Sequence, residues 1–184
     1  MRRFDSPVLR EVAAKLHFID PKHIIVGRGE SLVAWGVRAS HKGSDIDIVM
    51  PEEDMNEVER VLGWKAIQLA VEYTGSDLPV DLTRIVSPDK RYDIYPHEFV
   101  SIWFNETGRG RVYPNQLIAE FSEQDEETRI HVANPAFTRL TMQNSLRQKD
   151  IDTIPQIDEY LERLKQKNAN HKPLAKRSKF CYNM

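Results

Sequence analysis

The chain has 184 residues, 40% of them hydrophobic and 29% charged, with a formal net charge of −2 at pH 7. That is enough for one domain with a sizeable core, with room for a small helical appendage, and it argues against a protein that coats nucleic acid by bulk electrostatics while leaving a local basic cleft open. The lone Cys181 can form no internal disulfide. No run approaches the ~18 apolar residues of a membrane span, and MRRFDSPVLREVAAKL lacks the apolar core of a signal peptide, so the expectation is a soluble, cytoplasmic protein without membrane partners.

Ser6-Pro7 offers a capping hydroxyl followed by a proline suited to the first helical position. Val8, Leu9, Val12, Ala13 and Leu16 then recur at helical spacing and predict an amphipathic helix over 6–17. Asp20-Pro21 breaks the chain before an apolar strand at 24–26, which runs into Gly27-Arg28-Gly29. Over 30–38, Leu32, Val33, Trp35 and Val37 are too dense for one face, which predicts a mostly buried helix. A loop carrying Ser40, His41, Lys42, Gly43 and Ser44 follows, and 45–50 alternates as a strand, beginning Asp45-Ile46-Asp47-Ile48.

Pro51-Glu52-Glu53-Asp54 starts a helix with negative charge in its first turn, where the helix dipole favours it. Met55, Val58, Val61 and Leu62 supply its apolar face and Gly63 its stop. Residues 66–74 and 79–86 alternate as two strands of a hairpin around Gly75-Ser76-Asp77, with 66–70 open to an alternative reading as more helix. The stretch 87–128 is the least patterned. Within it, 99–104 reads as a buried strand or helix segment, 108–111 as a turn or loop, Pro114–Phe121 as a short helix, and 122–128 as an acidic, exposed connection. Residues 129–133 predict a strand, and Asn134-Pro135 starts a helix carrying Phe137, Leu140, Thr141 and Met142. Arg147-Gln148-Lys149-Asp150 forms a polar joint. Ile151, Ile154, Ile157, Tyr160, Leu161 and Leu164 mark a last helix interrupted early by Pro155, before a basic tail expected to be disordered.

The chemistry concentrates in the 24–50 stretch. Side chains alternate along a strand, so Asp45 and Asp47 point the same way, with Cα atoms about 6.6 Å apart at about 3.3 Å per residue. Carboxylates so placed can share hard divalent cations, and a third acid, Asp81, lies in the alternating segment Val80-Asp81-Leu82-Thr83. Three carboxylates on neighbouring strands can hold two magnesium ions for in-line phosphoryl or nucleotidyl transfer. Backbone amides at a glycine turn before a helix suit a triphosphate. The plain alternative is that Asp45, Asp47 and Asp81 are solvated acids on strand edges.

This stretch resembles the nucleotidyltransferase superfamily, the group related to DNA polymerase beta, in its minimal form. The family signature is a Gly-Gly or Gly-Ser turn, a helix, Asp-x-Asp on a strand and a third Asp on a later strand. The most similar version continues Gly-Gly-x-Ala-Leu-x-x-x-Gly. Here Arg28-Gly29-Glu30-Ser31-Leu32-Val33-Ala34-Trp35-Gly36 puts Gly29, Ser31, Leu32 and Gly36 on matching positions. Asp45 and Asp47 fall on the metal ligands and Asp81 on the third acid. Arg28 stands where the first glycine is usual, unless Gly27 takes that place, and the interval from Gly29 to Asp45 is longer than typical.

The resemblance covers roughly residues 20–86, and 129–164 more loosely. It implies an α/β (α+β) fold: a small mixed sheet flanked by helices, with C-terminal helices. The implied organisation is a catalytic core over 1–133, a helical segment over 134–167 and a tail over 168–184. The implied activity moves a nucleoside monophosphate from a nucleoside triphosphate to an acceptor hydroxyl on RNA, a small molecule or a protein, releasing pyrophosphate. Two Mg2+ ions would sit on Asp45, Asp47 and Asp81, and the nucleotide would meet Gly27, Arg28, Gly29, Ser31 and Ser44. Two other readings share the same residues: an inactive, antitoxin-like binding module, and a metal-dependent phosphohydrolase.

Other residues carry weaker signals. Gly27-Arg28-Gly29 is no dinucleotide fingerprint, because Leu32 stands where its third glycine would be. Arg38, His41 and Lys42 can neutralise phosphates or simply face water, and His97-Glu98 lacks partners at metal-ligand spacing.

Overall fold

A computed structural model of the chain describes residues 1–40, 45–71, 80–97, 114–143 and 147–170. In chain order come α1 (Pro7–Lys15), a 3-10 turn (Pro21–His23), β1 (Ile25–Val26), α2 (Arg28–Ala34), β2 (Ile46–Met50) and α3 (Glu52–Leu62). Then follow β3 (Ala66–Val71), β4 (Val80–Val86), β5 (Tyr92–Pro96), α4 (Pro114–Phe121), β6 (Ser122–Gln124), β7 (His131–Ala133), α5 (Pro135–Gln143) and α6 (Gln148–Asn170). Among the described residues the strands form one mixed sheet of seven in the order β3-β4-β5-β2-β1-β7-β6. β2 lies between β1, which it meets antiparallel, and β5, which it meets in parallel register from Ile46↔Tyr92 to Met50↔Pro96. The architecture is a mixed α/β fold with C-terminal helices.

The period of two along β2 decides which side of the sheet does chemistry. Ile46, Ile48 and Met50 are fully buried and join Leu9 and Val12 of α1, Leu16 just after it, Met55 and Val58 of α3, and Ile85 and Ile94 of β4 and β5. That is the larger core, and Asp47 and Val49 project from the opposite face. There Ile25, Ala133 and Phe137 pack with Val49, Ile118, Phe121 and Leu140. Beside them Leu32 of α2 meets Met142 of α5 and Ile157 of α6, so the last two helices close over α2 at the aspartate end of the sheet. Burying side chains of this size contributes roughly 1.5–3 kcal/mol each.

Several helix boundaries follow local signals. Gly63 adopts φ +67° and donates its N–H to Glu59 O at 2.9 Å, ending α3 where glycine has no steric penalty. Asn134 caps α5 by accepting the Phe137 N–H at 2.7 Å. Other expectations change. Residues 66–70 are strand, paired antiparallel with β4, and do not extend α3. Val61 is 42% exposed and lies outside the core. β5 was not among the expected elements, and 122–128 is no exposed connection: Ser122–Gln124 pairs with β7. Asp125 is 1% exposed. Its carboxylate accepts the Phe4 N–H at 2.9 Å and the Thr128 N–H at 2.8 Å, and these bonds hold its pKa below the usual carboxylate range against the cost of burial. α6 runs unbroken through Pro155 to Asn170, three residues into the expected tail. Proline removes a single rung there, while Ile157 and Tyr160 stay buried and keep the helix on its support. The readings at 99–104, 108–111, His41 to Ser44 and Cys181 lie outside the described residues. Among the described residues no helix is long and apolar enough to cross a membrane.

Candidate active site

The turn between β1 and α2 is fastened to the acidic strand. Gly27 caps α2 and donates its N–H to Asp47 O at 2.9 Å, which sets the first residues of α2 against β2. A Cβ on Gly27 would meet Asp47 O at 3.8 Å, an ordinary contact, so space alone does not demand glycine there. Arg28 follows with φ +46°, in the left-handed region that costs a non-glycine residue about 1–3 kcal/mol. At the other end of α2, Gly36 has φ +72°. Its N–H donates to Val33 O and the Val37 N–H to Leu32 O, both at 2.9 Å, the paired bonds of a glycine-terminated helix.

Asp45 precedes β2 directly and Asp47 lies within it, 9% exposed. Both line a cavity of about 660 Å³ between the start of α2, the start of β2 and the N-terminal half of α6. The volume falls in the range of ligand sites. Among the described residues its walls carry four cations, Arg28, Arg38, Arg147 and Lys149, against the carboxylates of Asp45, Asp47, Asp150 and Asp152. Arg38 presents a buried Nε with no hydrogen-bond partner among the described residues.

Burial pushes the Asp47 carboxyl up to about 6, Arg28 and Arg147 pull it back, and Asp45 and Asp93 add to the rise. Arg28 shows the counterpart. Burial disfavours its charge, but Asp47, Asp150, Tyr95 and Asp93 outweigh that cost and raise its pKa. The guanidinium therefore sits within the field of the acids it neighbours.

The register supplies an acid that sequence reading missed. Asp93 of β5 stands directly opposite Asp47 of β2. Its Oδ2 accepts from Tyr95 Oη at 2.8 Å and Arg84 Nη1 at 3.1 Å. Its Oδ1 is buried with no hydrogen-bond partner among the described residues. Burial raises the pKa of Asp93, the Tyr95 hydrogen bond and Arg84 oppose that rise, and Asp45 reinforces it. The signal was present in Tyr92-Asp93-Ile94-Tyr95, an acid inside an apolar alternation like that of Asp47. Asp81 lies on β4 opposite Ala70, and β4 meets β5 at Ile85↔Ile94 and Val86↔Asp93. The structure describes the backbone of Asp81 and not its side chain.

The other expected contacts divide. Gly29 lines the cavity. Ser31 is fully buried: its hydroxyl donates to Arg28 O at 2.8 Å and lies 3.2 Å from Thr138 Oγ1, so it braces α2 against α5. Ser44 lies outside the described residues. His97 is 3% exposed and held by burial at a pKa of about 4.

Among the described residues no three His, Cys, Asp or Glu side chains form a ready-made metal cage. Asp93 faces Asp47 by register and feels the charge of Asp45, and its Oδ1, unpaired among the described residues, is a hard oxygen of the kind that suits a cation such as Mg2+. No protein-family model matches the chain, and no curated protein matches it either.

Proposed function

We propose that this cavity is a magnesium-dependent nucleotidyl-transfer site, moving a nucleoside monophosphate from a nucleoside triphosphate to an acceptor hydroxyl. The observation that carries the reading is the pairing of Asp47 with Asp93 beside a cavity that also receives Asp45 and four basic side chains. Asp45 and Asp47 would hold Mg2+, and Asp93 would complete the set at the attacking side, with Asp81 one strand further as the alternative third acid. Bound there, magnesium would supply charge neutralisation at the phosphates and acidify the acceptor hydroxyl.

The chain's own residues do the rest by positioning and charge. Gly29 at the opening of α2 and the cations Arg28, Arg38, Arg147 and Lys149 suit a triphosphate. Gly27 holds the turn on β2 and Ser31 holds α2 on α5. Asp93 takes the proton of the acceptor hydroxyl, whose oxygen attacks the α-phosphorus as the bond to pyrophosphate breaks. Asp45→Asn, Asp47→Asn and Asp93→Asn should each abolish transfer from labelled triphosphates to RNA, small-molecule or protein acceptors. Full activity in Asp45→Asn overturns the assignment, and full activity in Asp93→Asn with loss in Asp81→Asn moves the third acid to β4.

One observation favours a second reading. Arg28, in its left-handed conformation, already interacts with Asp47, as an inactive binding module of the same fold would tolerate. Calorimetry with Mg2+ and each triphosphate separates the two, because the module binds none of them at millimolar concentration.

A further inference from the structure

The cavity wall at the start of α6 holds a buried acid that the proposed chemistry does not use. Asp150 is 3% exposed and lies in the first turn of α6. An acid suits that place through the helix dipole, but Glu52 and Glu53 do the same at the start of α3 while exposed. The dipole therefore leaves the burial of Asp150 unexplained. Its surroundings supply a reason. Arg147, directly before α6, brings Nε to 3.9 Å from Asp150 Oδ2, and Arg38, from the segment after α2, lines the same cavity. Burial lowers the Arg38 pKa, and the charges of Glu30 and Asp150 oppose that loss.

Arg38 is incompletely paired. Its Nε is buried with no hydrogen-bond partner among the described residues, although buried donors are nearly always bonded. A guanidinium carries five N–H donors in a planar fork that fits phosphate oxygens. Asp150 opposes its charge without satisfying Nε, so the remaining donor suits an anionic ligand in the cavity. We propose that Asp150 is a positioning residue: it holds Arg38, with Arg147 beside it, on one wall of the cavity, where their donors receive the phosphates of a nucleoside triphosphate. The inference rests on the nucleotidyl-transfer reading and adds to it the residue that arranges the phosphate-binding cations. A bare charge effect has the opposite sign, since a carboxylate repels a triphosphate and its removal would tighten binding.

The test is calorimetric titration of ATP, and of inorganic tripolyphosphate, into the full chain with a chelator present. The proteins are wild type, Asp150→Asn, Arg38→Gln and the double variant. Wild type should bind both anions, and Asp150→Asn should bind each at least about tenfold more weakly, the scale of one charge-assisted hydrogen bond. In the Arg38→Gln background the same change should weaken binding by clearly less, because the residue it acts through is gone. Unchanged or tighter binding in a folded Asp150→Asn overturns the inference, and so does an equal loss in both backgrounds. Arg38 lies outside any helix, so Arg38→Gln folds even where Asp150→Asn does not, and unchanged tripolyphosphate affinity in that variant also overturns the inference. ATP that binds wild type only after Mg2+ is added overturns the inference alone. ATP that binds under neither condition overturns the nucleotidyl-transfer reading as well.

Discussion

Replacing Asp47 by Asn should make the metal-free protein more stable while removing its proposed chemistry. The Asp47 carboxyl is 9% exposed and displaced from 3.8 to about 6, chiefly by burial. At about 1.4 kcal/mol per pKa unit, keeping it ionised costs the folded state roughly 3 kcal/mol, a value that already includes the attraction of Arg28. The folded chain binds more protons than the unfolded chain between pH 3.8 and about 6, so this group's effect is a loss of stability as pH rises through that window. Above it the full cost is present, and Asn, neutral and of the same shape, escapes it. Urea unfolding at pH 8 with a chelator present should place Asp47→Asn above wild type by up to ~3 kcal/mol. Thermal unfolding should show the same order, with each kcal/mol worth about 2–4 °C for a chain of this size. Adding Mg2+ and a triphosphate should reverse the order, because only the wild type gains a ligand. An Asn variant equal to or less stable than wild type at pH 8 refutes the reasoning and makes the Arg28–Asp47 contact a net stabiliser.

His97 predicts the opposite pH response. Its folded pKa of about 4 lies below its ordinary 6.5, so the unfolded chain binds the extra proton and stability falls as pH drops from 6.5 toward 4. Unfolding curves of His97→Gln should lack this component, worth up to roughly 3 kcal/mol. Ser31→Ala removes the hydroxyl that bonds Arg28 O and leaves Thr138 Oγ1 short of a partner in a buried contact. A loss of about 1–3 kcal/mol is expected by chemical denaturation. Arg28→Gly relieves the left-handed backbone but takes a cation from the cavity, so triphosphate affinity measured without metal should fall by about tenfold, the equivalent of ~1.4 kcal/mol.

Short-range chemistry made much of this fold legible. Pro7 stands at the start of α1, though the Ser6 hydroxyl makes no capping hydrogen bond there, and Gly63 stops α3 in the left-handed conformation while Asn134 caps α5, both through atoms a few residues apart. The alternation of Ile46, Asp47 and Ile48 likewise assigns opposite sheet faces to apolar and acidic side chains before any partner strand is known.

What lay beyond the sequence is what depends on strand order and on groups far apart in the chain. Period-two alternation says which way Asp47 points but not which strand lies beside it. Parallel pairing with β5 puts Asp93 opposite Asp47, while Asp81, equally alternating in sequence, lies on β4 opposite Ala70. The acidic stretch after α4 reads as solvated because Phe4, whose N–H the Asp125 carboxylate accepts, is distant in sequence, and because Ser122–Gln124 is too short and polar to signal the strand that pairs with β7. The cavity needs α6 folded back over α2, a contact made by Leu32, Met142 and Ile157 that no local pattern encodes. Amino-acid order alone thus marked most of the elements, though not β5 or β6, and singled out the pair Asp45 and Asp47. Long-range packing decided that Asp93 would stand opposite Asp47, because hydrophobic burial chooses neighbours by fit across the core, independently of their separation along the chain.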